Sequence, residues 1–509
     1  MTQEMDIDTP NEGGNIDILN NQKDLETSNK PSLRDELLYA SINKDINDVN
    51  PIVAIPYSSQ VYSMTFTKGP KWMFTGGDDG FIRKFDFFQS VSGKSLLTVS
   101  QKHQLVDSIQ FNGVLCSYWE NELPIYKSTI SSSTDVLFEP KISPVYSLCS
   151  ENYGNWILSG LDNGSITLQS IKSNEGSIQW YFHNSNDQSV KNKNLHHSMP
   201  VSKIITNTNQ TNFLSGSWDK KILKWDLNTG KNLNYFINST GQISSLEYRP
   251  IIGSSIDWKI NSNDNDSDVD SLFNDDDDDD DEEEEEEEDI KNDDNDDDED
   301  KKSKKPIDDN IEMKRDIEKL QRDAIQTGKY EGVQKSDDIF LSASIDGIVS
   351  IWDSRITERD NRVMQIQVPN GTPPWCMSST WSVDGDTIFI GRRNSTVEQF
   401  DIRKTNELLD TFKFPTLSGS VSCITTMPNK RYILCGSQDN IRLYDLESKV
   451  NNTNQKNRSI VPFSIVAGHQ GGIVSSLYVD PTCRFLVSAS GNRGWQGKAS
   501  DCLFIYEFL

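Results

Sequence analysis

Two histidines are the first candidates for chemistry: His196 and His469 each stand six residues ahead of a serine, Ser202 and Ser475. A histidine beside a hydroxyl can become a base and nucleophile if a carboxylate orients the ring. Carboxylates such as Asp86, Asp226, Asp353 and Asp401 are available, but they recur at one place in a repeated phrase and so serve the fold first. An acid/base pair should break that period, and none is found. The run 491–500, Gly-Asn-Arg-Gly-Trp-Gln-Gly-Lys-Ala-Ser, is glycine-rich like a phosphate loop. Its spacing is wrong, Ala499 replaces the needed hydroxyl, and it lies between two strands rather than ahead of a helix. It is an inserted loop with Trp495 near its tip, structural or contact-making. Seven cysteines (116, 149, 376, 423, 435, 483 and 502) contain no Cys-x-x-Cys pair, and only five histidines accompany them. They read as reduced, mostly buried thiols rather than a zinc site. No catalytic, cofactor or metal site follows from these residues.

The elements that position these residues repeat. A twelve-residue phrase starts at Thr75 (Thr-Gly-Gly-Asp-Asp-Gly-Phe-Ile-Arg-Lys-Phe-Asp) and returns at Ser159, Ser215, Ser342 and Ile390. A copy one residue shorter starts at Cys435, and a last copy at Ser488 is split by the 491–500 run. In each, a small residue closes one strand, an Asp/Asn-rich turn follows, and a β-branched strand ends in an aromatic and an acid. Two further strand-like runs precede most phrases, such as 201–206 before 213–214. Four-stranded units at about 40–45 residues are the blades of a propeller. The gap of 84 between the first two starts is about two repeats. A degenerate copy at 116–127 (Cys-Ser-Tyr-Trp-Glu-Asn-Glu-Leu-Pro-Ile-Tyr-Lys) fills it, for eight blades by repeat count. Pro124 in mid-strand weakens that copy, so seven is the alternative. The segment 51–56, Pro-Ile-Val-Ala-Ile-Pro, is expected to supply the outer strand of the last blade and close the ring.

Composition places the remainder outside the ring. Hydrophobic residues make up 34% of the 509, low for one compact globule. The net charge of −28 is concentrated in 264–300, where 26 acidic residues face one lysine, and the rest of the chain carries only about −3. The sequence thus divides into an N-terminal tail, 1–50, with a possible short helix at 33–43, a propeller over 51–509, and an acidic, mostly disordered insertion over 251–337 within one blade. Ser32 can cap the helix and Leu33, Leu37 and Leu38 share a face, either against the propeller or against a partner. The acidic run is either a solvated tail or an electrostatic handle for a basic protein. Met1–Asp8 lacks an apolar run, and no stretch reaches the ~18–20 apolar residues of a membrane span, so cytosol or nucleus is expected.

Some residues depart from a generic WD repeat. Residues 372–385 (Thr-Pro-Pro-Trp-Cys-Met-Ser-Ser-Thr-Trp-Ser-Val-Asp-Gly) lead to Gly391-Arg-Arg-Asn and Val397-Glu-Gln-Phe-Asp. Together with 117–124, 142–148 and 158–161 they resemble the fungal WD-repeat Spt subunit of the SAGA transcriptional coactivator complex, over roughly 50–509. The resemblance implies an all-β WD-repeat propeller in the nucleus, a non-enzymatic interaction subunit of a histone acetyltransferase coactivator. It would bind the TATA-binding protein and other SAGA subunits and regulate RNA polymerase II transcription, with no cofactor, no membrane and no sequence-specific nucleic acid of its own. In WD repeats a histidine placed like His196 or His469 bonds within its blade. Three contact sites compete. The acidic run, with Asp275, Asp278, Asp281, Glu282, Glu285 and Glu288, would approach the basic surface of the TATA-binding protein as a weak DNA mimic; the Arg392-Arg393 turn and Trp495 are its rivals. A WD-repeat histone chaperone or a ubiquitin-ligase substrate receptor is the alternative, and the phrase at 372–401 argues against both.

Overall fold

The computed structural model describes residues 33–102, 108–124, 141–183, 196–237, 239–253, 333–356, 362–447 and 463–509. They form seven sheets, each built on four antiparallel strands, one of them extended to six strands through a parallel pairing. Blade 1 comprises Val61–Phe66, Trp72–Gly77, Phe81–Asp86 and Val114–Glu120, and blade 2 Ser147–Ser150, Trp156–Gly160, Ile166–Ser170 and Ile178–Phe182. Blade 3 is Val201–Thr206, Asn212–Ser217, Ile222–Asp226 and Asn232–Phe236. Blade 4 is Ile243–Pro250, Lys335–Ser344, Val349–Asp353 and Arg362–Ile366. Blade 5 is Ser379–Trp381, Thr387–Gly391, Thr396–Asp401 and Leu408–Lys413. Blade 6 is Cys423–Thr426, Tyr432–Gly436, Ile441–Asp445 and Phe463–Val466, and blade 7 starts with Val474–Val479, Phe485–Ser490 and Cys502–Phe508. The first strands of neighbouring blades touch in cyclic order, and blade 7 returns to blade 1. The sheets therefore make a ring.

The small second residue of the phrase has a packing reason. A Cβ on Gly76 would lie 2.3 Å from Val145, and one on Gly216 2.6 Å from Ile243. The next blade presses its first strand onto that spot, and only Gly or Ala (Ala343, Ala489) fits there. The sixth position is the turn residue with positive φ, supplied by Gly80, Gly164 and Gly347 but also by Lys220 and Ser395. Between blades the phrase's tryptophans pack edge to face with neighbouring phenylalanines, such as Phe182 with Phe213 and Trp225, and Phe236 with Phe340 and Trp352.

Val49–Pro56 is the fourth strand of blade 7. It runs antiparallel to Cys502–Phe508 from Val49↔Phe508 to Pro56↔Cys502, so the expected closure is present. The blade number is seven rather than eight. The stretch read as a degenerate copy is the outer strand of blade 1, Val114–Glu120, paired as Ile82↔Trp119 and Phe81↔Glu120. Trp119 looked like a turn residue, yet its indole donates to Gln169 of blade 2 at 2.7 Å. The long first interval comes from an elaborated connection inside blade 1, with helices Phe87–Val91 and Val99–Lys102 and short strands Ser95–Leu96 and Phe111–Asn112.

Connections in a meander alternate between its two ends. The second-to-third-strand turns and the crossings between blades therefore share one face, here the upper face. The first-to-second-strand connections share the lower face. Blade 4's connection, which carries the acidic run, opens on the lower face, where Ile251 N–H donates to the Gln334 carbonyl at 2.9 Å. Helix Leu33–Ser41 leads to the lower face too: Ser41 donates to the Pro481 carbonyl, and Lys44 Nζ to the carbonyls of Cys483 and Phe508. Leu38 and Ile42 are buried and Leu33 is exposed.

Candidate interaction surfaces

Blade 3 assembles an acid, an imidazole, a hydroxyl and an indole in a line. His197 Nδ1 lies 3.1 Å from Asp219, its Nε2 lies 2.8 Å from Ser215 Oγ, and Trp225 Nε1 donates to the same oxygen at 2.8 Å. The order is that of a catalytic triad, but Ser215 is wholly buried and its oxygen is already bonded on two sides. Burial raises the Asp219 carboxyl, but hydrogen bonds from His197 and from the backbone of Lys221 and Ser198 outweigh it and hold the group below its ordinary value. This network fastens the crossing between blades to a turn. The histidine responsible is His197, not His196: the expected spacing was off by one residue, and His196 sits half-buried beside Trp225.

His469 does the same in blade 7, with Nε2 at 2.6 Å from Ser488 Oγ and Nδ1 at 3.3 Å from Ser500 Oγ in place of a carboxylate. Burial without a counter-charge pushes its pKa down to about 4, against only a small opposing hydrogen bond from Ser488. A histidine depressed in the fold is protonated only by unfolding in this range. Its contribution is intact above the unfolded value of 6.5 and drains away as pH falls toward 4, by about 2 kcal/mol at pH 5. We expect the melting curves of the wild type and of His469→Gln to converge as pH is lowered from 7 to 5. Parallel curves would assign the acid sensitivity elsewhere.

The other blades use other groups at the same places. Trp352 Nε1 donates to Ser342 Oγ at 2.8 Å in blade 4. In blade 6 Arg442 holds Asp439, Ser437 and Ser418. In blade 5 Arg392 is fully buried, donating to Glu398 at 2.7 Å and to the Gly347 carbonyl of blade 4 at 2.6 Å. Arg392 is thus a clasp between blades and not a surface contact. The signal was legible: Arg392 is third in its phrase, where Ser217 and Ser344 are buried. Arg393, one residue later, is exposed on the upper face.

The 491–500 run lies between two strands of blade 7, as expected of an inserted structural loop. It folds inward over the axis of the ring. Arg493 adopts φ +54° and sends its guanidinium to the Met377 carbonyl of blade 5 (3.2 Å) and the Ser244 carbonyl of blade 4. Trp495 is half-buried, donates to Gln242 at 3.1 Å and packs on Trp218 with ring centroids 5.5 Å apart. Tyr146 and Tyr62 continue that band at 5.3 and 5.8 Å. Both tyrosines follow a valine at or just ahead of a first strand, where blades 3, 6 and 7 have Ser202, Ser422 and Ser475. That break in the repeat marked the aromatic band. Trp495 and Arg393 thus share the upper face. Asp275, Asp278, Asp281, Glu282, Glu285 and Glu288 lie outside the described residues, and the connection that bears them leaves from the lower face. Among the described residues no cluster of metal-ligating side chains occurs and no helix is long and apolar enough to cross a membrane.

A cyclic ring of seven such blades, fastened by Ser–His–Asp–Trp networks and their substitutes, is a WD-repeat β-propeller. The family model of the SPT8 β-propeller matches residues 47–508, and the chain belongs to that family. It is 40% identical over 480 residues to the SAGA complex subunit SPT8 of Saccharomyces cerevisiae, covering 92% of this chain and 74% of the relative. It is 37% identical over 471 residues to the SAGA complex subunit Spt8 of Schizosaccharomyces pombe, covering 91% and 79%.

Proposed function

We propose that this protein is a non-enzymatic interaction subunit of a SAGA-type coactivator in the nucleus, and that it binds the TATA-binding protein alongside other SAGA subunits. The observation that carries the reading is family membership across the entire ring, with two relatives named as SAGA subunits. The buried Ser–His–Asp chain adds to it, because its hydroxyl is spent on the fold. Purification of the tagged protein from nuclear extract, followed by mass identification, tests it. Acetyltransferase-complex subunits and the TATA-binding protein are expected. Stable recovery with a cullin or with replication factors instead would overturn it.

The acidic run supports an electrostatic part of this reading. A net −25 rooted on the lower face raises the local concentration of a basic partner and competes with DNA for it. Deleting 264–300 is expected to weaken binding of the TATA-binding protein on the order of tenfold at low salt and to flatten the salt dependence. Unchanged affinity and slope at two salt concentrations would end that part alone.

A further inference from the structure

The first strands line an axial channel whose upper end is closed by Arg493. Beneath it the channel widens into a chamber of about 450 Å³ toward the lower face. One ring of positions around the axis follows the repeat, and its members in blades 3, 4, 6 and 7 line the chamber. The residue paired with the small second position of each phrase is Ser63 in blade 1, Ser147 in blade 2, Ser245 in blade 4, Cys423 in blade 6 and Ser476 in blade 7. In blade 3 it is Lys203, opposite Gly216. A residue that serves only the fold should keep the period, and this one breaks it with a charge.

Lys203 has no hydrogen-bond or ion-pair partner among the described residues. The one carboxylate on the chamber wall, Glu247, is taken up by Lys335 Nζ at 2.7 Å and by the Trp381 N–H at 3.2 Å. Arg493 adds a second positive charge at the closed end. Around them Thr425 and Ser476, both half-buried, line the chamber with hydroxyl side chains. Hydroxyl donors and an ammonium with no close counter-ion in a recessed chamber suit an acceptor with negative charge. We propose that the lower chamber is a binding site for a small phosphate-bearing molecule, with Lys203 Nζ as its charged anchor and Thr425 and Ser476 as neutral donors. A phosphoryl group presents three terminal oxygens and suits donors arranged around an axis; a planar carboxylate presents two. Burial, with Arg493 nearby, pushes the Lys203 ammonium below its ordinary value, and a bound oxyanion restores it.

The test titrates the full chain with inorganic phosphate, pyrophosphate and citrate in physiological salt, followed calorimetrically and by ³¹P resonance broadening. Saturable binding of phosphate or pyrophosphate is expected, weakened at least about tenfold in Lys203→Met and retained in Lys203→Arg. The unliganded melting temperature of Lys203→Met should stay at or above that of the wild type, since the substitution removes a half-buried charge without a close counter-ion; this keeps loss of binding distinct from loss of fold. Absence of binding at millimolar pyrophosphate, or equal binding by Lys203→Met, overturns the site. Citrate binding as tightly as pyrophosphate overturns the phosphoryl assignment.

Discussion

A chain lacking residues 49–56 should lose its cooperative melt and aggregate. Val49, Val53 and Ile55 are buried in the strand that completes blade 7, and Val53 and Ile55 pack against Phe485, Val487, Leu503 and Ile505. Each such side chain is worth about 1.5–3 kcal/mol on burial, so the three together approach the entire ~5–15 kcal/mol by which a domain is stable. Deletion also strips the ladder from Cys502–Phe508 and exposes an apolar edge to other chains. Because deletion detaches the anchored segment before residue 49 as well, the double substitution Val53→Asp with Ile55→Asp is the sharper test. It keeps the chain and removes only the apolar face. Both variants should shift to large species in light scattering, and a peptide of residues 47–57 added during refolding should restore monomer for the deletion. A wild-type melting temperature in both variants would show that the ring closes by other contacts.

Periodicity made the architecture legible. The phrase carries its own packing logic, so Gly216, Trp225 and Asp226 announce a tightly packed strand, the strand after the turn and its end without reference to anything distant. The closing strand was legible for a different reason, since a blade with three strands needs a fourth. Misplacements came where residue type and position disagree. Trp119 has the type of a phrase residue but belongs to an outer strand, because a long excursion within blade 1 imitates the length of a repeat. Arg392 has the type of a surface residue but occupies an inward position, and an ion pair with Glu398 makes that burial tolerable. Trp495 and Arg493 are set by contacts to blades 3, 4 and 5, more than 100 residues away, and no local pattern encodes those partners. Lys203 was visible as a lysine where other blades carry serine or cysteine, but only the strand register shows that it belongs to a ring.

Arg493→Ala should be the most destabilising single substitution in the 491–500 run, and the balance of forces there is not obvious. Among the described residues no carboxylate stands beside the guanidinium, and burial lowers its pKa to about 10, so it pays for desolvation while still charged at pH 7. Against this stand two charge-assisted bonds to carbonyls on different blades and a guanidinium face 5.1 Å from the Trp495 ring. Charge-assisted bonds contribute about 1.5–3 kcal/mol each, and truncation leaves the Met377 and Ser244 carbonyls facing a void. The bonds outweigh the charge, so Arg493→Ala should cost about 2–4 kcal/mol. Loss of the plug should also free Trp495 from Gln242 and Trp218, moving tryptophan emission to longer wavelength. Arg493→Met separates the two contributions: it fills the void and removes the charge but not the need of the carbonyls. It should fall between Ala and wild type in stability while keeping the red shift small. Should Arg493→Met exceed the wild type, desolvation governs this position and the loop is held by its tryptophan; should Arg493→Ala leave melting and emission untouched, the loop does not close the axis at all.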